Sequence, residues 1–339
     1  MNTNTADYKP PFPWFGGKSR AAQLVWERFG DVPNYVEPFF GSGAVLFKRP
    51  HPPKLETVND LDGFISNFWR AVQADSEAVA HHADWPVNEC DLHARHIYLL
   101  NSRDELTDRL MGDPDYYDAK LAGWWVWGIS TWIGSGWCSG DGPWQSEDGK
   151  IVNMKGGVGV SRQIPHLGGA GAGQGVHRLG VSRQRPHLGD AGKGVNRPGG
   201  VSLGDYLAAL QSRLRGVRVV CGDWSRVMGP TVTFKHGITG VLLDPPYDCN
   251  RDTLYAKDSF STSHDARAWA IKNGDNSLLR IALCGYDGEH DMPPGWTKVA
   301  WTGPKGYQGK GNTKRFNERI WFSPHCLKGE QDGLWATNP

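Results

Sequence analysis

The sequence predicts an open α/β fold, and three stretches carry that prediction. The first is Gly240-Val241-Leu242-Leu243-Asp244-Pro245-Pro246-Tyr247. Its apolar run reads as a buried strand of an α/β sheet. Neither Pro245 nor Pro246 has a backbone N–H, so the ladder stops at Asp244 and the next residues lie just past a strand's carboxyl end. The second stretch runs from Asn34 to Phe47. A short strand ends at Glu37, a Gly41-x-Gly43 turn follows, and an apolar helix is expected from about Ala44, the usual strand–loop–helix layout of nucleotide sites. The third is a strand over Leu55–Val58 that closes in Asn59-Asp60. An acid at the end of a second strand, about twenty residues on, is placed to hold ribose hydroxyls.

Composition narrows the class. The 339 residues suffice for one large domain or two smaller ones. A net charge of +1 announces no global field, so any basic surface is local. Six scattered cysteines form no C-x-x-C pair, which argues against zinc and disulfide scaffolds and suits a reducing cytoplasm. Residues 1–9 are polar and do not read as a signal peptide. No apolar run approaches the length of a membrane span, so no membrane partner is expected. The excess of tryptophan (16) and glycine (44) gathers in the middle of the chain and points to a specialised insert there.

In chain order, Gly16-Gly17 makes a tight turn before Lys18 and a helix over about 21–29. Gly-Gly-Lys at a helix start is either an anion site or a plain cap; its glycine spacing is not that of a P-loop. A helix is expected over 62–80, where Phe64, Ile65, Phe68, Trp69 and Val72 recur at helical spacing. Residues 81–120 read as charged and helical, with His81, His82, His93 and His96 solvated or DNA-facing and no metal implied. Between 123 and 144, Trp124, Trp125 and Trp127 suit a helix packed on a core, whereas Trp137 and Trp144, among glycines, are open to base stacking. Residues 155–200 contain a repeat, Gly-Val-Ser-Arg-Gln-x-Pro-His-Leu-Gly at 159 and again at 180. Seven Lys or Arg, among them Arg162, Arg183 and Arg185, face one acid, Asp190, a balance suited to a phosphate backbone. A helix over 203–214 and a strand over 218–221 lead to Asp223 and Trp224, an acid and an aromatic at a strand end. Residues 248–263 read as a polar segment able to close over a substrate, 265–272 as a helix, and 279–284, 296–301 and 318–322 as strands. Lys310, Lys314 and Arg315 lie in a basic glycine-rich loop, a second phosphate contact.

The Asp-Pro-Pro-Tyr loop suits one chemistry in particular. An exocyclic amine on a nucleobase is a poor nucleophile because its lone pair is delocalised into the ring. Two acceptors, each taking one N–H bond, draw that lone pair back onto nitrogen. The Asp244 carboxylate and the Pro245 carbonyl supply both, and Tyr247 offers a flat face to a flipped base. Pro246 completes the rigid turn.

Four short blocks, in order, are similar to the Dam-type DNA N6-adenine methyltransferases: Trp14-Phe15-Gly16-Gly17-Lys18, Glu37-Pro38-Phe39-Phe40-Gly41-Ser42-Gly43, Asn59-Asp60 and Asp244-Pro245-Pro246-Tyr247. The resemblance implies a Rossmann-like class I methyltransferase sheet with an inserted target-recognition region, and S-adenosyl-L-methionine as methyl donor. It implies that Trp14, Gly17, Lys18, Glu37, Pro38, Phe39, Gly41, Ser42 and Gly43 hold the methionine part. Asp60 would then hold the ribose, Asp223 and Trp224 the cofactor adenine, and Asp244 to Tyr247 the target base. The expected partner is double-stranded DNA, in a prokaryotic or phage-encoded setting where a restriction endonuclease is a further possible partner. Catalytic segments are expected at 10–80 and 201–325, the recognition insert at 81–200 with its basic arm at 155–200, and tails at 1–9 and 326–339. Asp244 favours adenine over cytosine N4, RNA adenine or an amide as the amine. A larger transferred group and a non-catalytic DNA-binding relative remain the alternatives.

Overall fold

The computed structural model describes residues 8–14, 16–132, 137–138, 144–147, 150–153, 195, 200–247, 256–301 and 318–329. They build a seven-stranded sheet that is mostly parallel. Its strands are β1 (Asn34–Glu37), β2 (Leu55–Asp60), β5 (Val217–Cys221), β6 (Thr239–Leu243), β7 (Leu279–Tyr286), β8 (Thr297–Ala300) and β9 (Glu318–Phe322). The spatial order is β5-β2-β1-β6-β7-β9-β8. The β9 strand runs antiparallel to both of its neighbours, which a chain entering it from β8 through residues 301–317 allows. A separate antiparallel hairpin joins β3 (Trp144–Glu147) to β4 (Lys150–Asn153), an element the residue pattern did not announce.

Alternate residues of one strand feed the two sides of the sheet, as period-2 geometry requires. Leu242 of β6 joins a large cluster with Phe29, Tyr35, Phe68 and Trp69. Val241 and Leu243 join a smaller one with Val36, Ile281 and Ala270. The large cluster takes in helices α1 (Ala22–Phe29), α2 (Gly63–Ala74), α5 (Ala119–Thr131) and α6 (Leu203–Leu214). The smaller one is covered by α7 (Ala256–Asn273).

Four local expectations change. No α-helix opens at Ala44; a single 3-10 turn, Leu46–Lys48, stands in its place. Pro50, Pro52 and Pro53 follow at once, and a proline disfavours helical geometry in the residue before it. The 62–80 helix is two, α2 and α3 (Ser76–Ala83), because Asp75 leaves helical geometry and caps the Ala78 N–H with its side chain. The last helix starts at Ala256, so part of the expected 248–263 closing segment is helical; residues 248–255 lie outside the described ones. Finally, His96 of α4 (Glu89–Gly112) is buried, not solvated, stacked on Trp132 and packed on Trp137. Burial lowers its pKa to about 4, so it is neutral in this packing. Trp137 is likewise core: its indole lies against Gly128 and donates to the Trp125 carbonyl at 3.1 Å. The described part of 81–200 therefore packs into the same core as the sheet.

Candidate active site

The strand order reverses direction between β1 and β6. From β1 the chain passes to β2 on one side, and from β6 to β7 on the other. Open sheets leave a crevice at such a point, beyond the carboxyl ends of the strands. The 38–43 and 244–247 loops, both expected to bind, flank it.

Local geometry explains the glycines of the first loop. Gly41 has φ +49° and Gly43 φ +70°, a region that side chains other than glycine adopt at a cost. A Cβ on Gly41 would stand 2.6 Å from the Trp14 indole nitrogen, and one on Gly43 2.7 Å from the Phe47 ring. Trp14 thus lies directly on the loop while remaining 38% exposed, and Trp69 donates its indole N–H to the Gly41 carbonyl at 2.9 Å. Asp60 Oδ2 accepts the Gly41 N–H at 2.9 Å, and Oδ1 accepts the Asp62 N–H at 3.0 Å. Burial nonetheless pushes the Asp60 carboxyl up to about 7. Asn59 donates to the Pro38 and Gly222 carbonyls at 3.0 and 2.9 Å, tying the loops after β1 and β5 together, and its Oδ1 is buried without a hydrogen-bond partner. Across the gap Phe39 stacks on Trp224 (centroids 5.9 Å, 26°), while Asp223 caps the turn that carries Trp224.

These residues fit S-adenosylmethionine. A glycine loop permits close backbone approach, an acid stands at the second strand's end, and an aromatic pair lies nearby. Gly17 turns beside this loop, its N–H bonded to the Trp14 carbonyl and a Cβ on it facing Ser42 Oγ at 3.9 Å. Glu37 lies deeper, hydrogen-bonded by the Tyr35 hydroxyl at 2.9 Å. Burial, with Asp244 among the nearby charges, holds the Glu37 carboxyl well above the usual range.

The second loop assembles a charged pocket. Lys18, buried, places Nζ 2.8 Å from Asp244 Oδ2 and donates to the Gly16 carbonyl at 2.8 Å. Tyr247 donates its hydroxyl to Asp244 Oδ1 at 2.9 Å, and its ring stands edge-on to Tyr286. Lys18 Nζ also lies 5.0 Å from the Tyr247 ring centre and 5.4 Å from that of Trp301. Burial disfavours the ammonium, but Asp244, Cys284 and Glu318 outweigh it and raise the Lys18 pKa. Pro245 is buried and Pro246 exposed, so the turn is anchored by its first proline. Lys18 was expected beside the methionine part of the cofactor; here its ammonium sits on Asp244.

Glu318, Trp301, Cys284, Tyr286 and Asn59 complete the site. Apart from Asn59, none of these was expected there. None of the other four leaves a local sequence signal; Glu318 stands with Arg319 as an ordinary charged pair ahead of the Ile320-Trp321-Phe322 run. Arg162, Arg183, Arg185, Lys310, Lys314 and Arg315 lie outside the described residues.

Residues 14–119 match the D12 class N6 adenine-specific DNA methyltransferases. The matched stretch is 106 of the chain's 339 residues, and over that stretch the chain is similar to the D12 class. The match takes in Trp14, Lys18, the 37–43 loop and Asp60, and ends well before Asp244. Comparison with curated proteins finds no match. The family of that match supports methyl transfer to adenine N6 in DNA and implies S-adenosylmethionine as the donor. Among the described residues, no helix is long and apolar enough to cross a membrane.

Proposed function

We propose that this chain acts as a D12-class enzyme on adenine flipped from double-stranded DNA, with Asp244 and the Pro245 carbonyl accepting the two N6 hydrogens and Tyr247 stacking on the ring. The observation that carries this reading is Asp244 itself. It is a carboxylate at the carboxyl end of a central strand, beside the topological switch point, its oxygens already engaged by a cation and a hydroxyl donor. A site that binds two donors at a carboxylate is suited to an amine. Flipping costs a few kcal/mol of stacking and pairing, which contacts to the extruded base offset.

In this mechanism Asp60 and the 37–43 loop hold the cofactor, with Phe39 and Trp224 beside its adenine ring. When bound, S-adenosylmethionine supplies a methyl group already activated on a sulfonium. Asp244 and the Pro245 carbonyl would hold the amine with its lone pair drawn onto nitrogen, ready to accept that methyl as the sulfur is released as a neutral thioether. The N6 proton leaves afterwards, through Asp244 to water. Most of the acceleration comes from positioning and fixed charges. Target reading falls to 81–200, with Arg162, Arg183 and Arg185 of the basic arm and Lys310, Lys314 and Arg315 on the phosphates. A restriction partner fits such an enzyme equally.

The test is Asp244→Ala, assayed with labelled donor and unmodified DNA, with nucleosides read by mass spectrometry. Methyl transfer should fall at least ~100-fold, the scale of one lost preorganised contact. Donor binding by calorimetry should persist. Near-wild-type transfer in the variant would remove Asp244 from the mechanism.

A further inference from the structure

Two carboxylates, one buried and one partly open, share one ammonium in this pocket. Lys18 Nζ is 2.8 Å from Asp244 Oδ2 and 3.8 Å from Glu318 Oε2. An ammonium has three donors. Two are committed, to Asp244 and to the Gly16 carbonyl. Glu318 Oε2 is buried and accepts no hydrogen bond, although a buried carboxylate oxygen ordinarily does. Lys18 and Glu318 are both more than nine-tenths buried, and Asp244 is the more open of the three groups. The place of Glu318 is set by the sheet. It opens β9, pairs with Tyr286 of β7, and its carbonyl takes the Trp301 N–H at 3.3 Å.

While Lys18 holds Asp244, that carboxylate's charge is cancelled and Oδ2 is occupied. Lone pairs remain on both oxygens beyond those that Lys18 and Tyr247 take, but an incoming amine meets a carboxylate whose charge the ammonium has already neutralised. We propose that Glu318 is a positioning residue that receives the Lys18 ammonium when the target adenine arrives, and so frees Asp244 Oδ2 for the N6 amine. The required motion is small, because closing 3.8 Å to hydrogen-bond distance takes about 1 Å. Lys18 keeps an ion pair throughout, so the buried ammonium is never left unpaired. The transfer also places a negative carboxylate beside the amine as positive charge builds on nitrogen. Burial raises the Glu318 carboxyl pKa, the Lys18 ammonium opposes that rise and the Asp244 charge adds to it, so Glu318 already feels the ammonium at 3.8 Å. This inference rests on the reading in which Asp244 takes the adenine amine.

The experiment is a double-mutant cycle of Glu318→Gln and Lys18→Gln, read by single-turnover methyl transfer with enzyme in excess and by kcat and KM for DNA. Glu318→Gln should lower the transfer rate about tenfold to a hundredfold while KM for DNA and donor binding change less than about twofold. In the Lys18→Gln background the same change should alter the rate less than about twofold, because no ammonium remains to be moved. Glu318→Asp, which keeps the charge on a shorter arm, should give an intermediate rate and serves if the glutamine variant does not fold. A wild-type rate in Glu318→Gln, or an equal loss in both backgrounds, overturns the proposal. Asp244→Ala run alongside separates the two readings: if it too transfers methyl normally, the base-binding assignment fails, and if it alone is inactive, only the role of Glu318 fails.

Discussion

Asp60 shows how one side chain sets a condition on the cofactor. Burial lifts its carboxyl to about 7, so near neutral pH it is divided between acid and carboxylate. The raised value means that ionisation is disfavoured in the fold: the stability it contributes is full below the unfolded pKa, near 3.8, and is lost as pH rises through about 7. Ribose hydroxyls donate best to the carboxylate, so donor affinity should run the other way. Between pH 8 and pH 6 the dissociation constant for S-adenosylmethionine should rise about tenfold, and Asp60→Asn should flatten that dependence; calorimetry across the range measures both. Residues such as Asp60, Gly41 and Asp244 are legible in sequence because each sits beside the turn or proline that gives it its place. Glu318 and Trp301 are not, because they reach Lys18 only once β9 is inserted between β7 and β8, and Cys284 only once β7 lies beside β6. Nothing local to those residues announces that strand order.

At the scale of elements, the strands read well and the helices less so. Apolar runs stopped by Pro or Gly place β6 and β7 closely, whereas the Ala44 helix is lost to the prolines after it and the 62–80 helix to the cap at Asp75. The tryptophans divide differently from their spacing, since Trp137 joins the core through α5. Gly128 makes that packing possible: a Cβ there would meet the Trp137 ring at 1.8 Å. Gly128→Ala should therefore destabilise by about 1–3 kcal/mol through overpacking. A thermal melt should fall by several degrees; an unchanged midpoint would mean Trp137 is not held against α5. Gly41→Ala tests the other kind of glycine. With φ +49° and Trp14 2.6 Å from the new methyl, it strains the loop itself. Donor affinity should drop about tenfold or more, at a stability cost of about 1–3 kcal/mol. Calorimetry and melting on one preparation read both effects.

Across the whole molecule, the proposed donor and base sites draw on distant parts of the chain, residues 14–60 and 223–318, brought together by the switch between β1 and β6. The described helices between them belong to the same core. Between α5 and α6, Trp137, Cys138 and Val195 are buried in that core, and the basic residues lie outside the described ones. Val195 is fully buried in the large cluster, which makes it a natural end for a deletion. Removing 156–192 and closing the gap with a short Gly-Ser linker takes away Arg162, Arg178, Arg183 and Arg185, with Asp190 as the sole acid. If those four cations follow the phosphate backbone, log Kd for DNA should lose up to about 3.6 units of slope against log salt, about 0.9 per contact. Binding at low salt should weaken together with that slope, while donor affinity and the thermal midpoint stay near wild type. A deletion that leaves both the slope and the modified-adenine pattern unchanged would remove the arm from DNA binding. One that keeps the slope but changes the methylated sequence would make it a reader of bases.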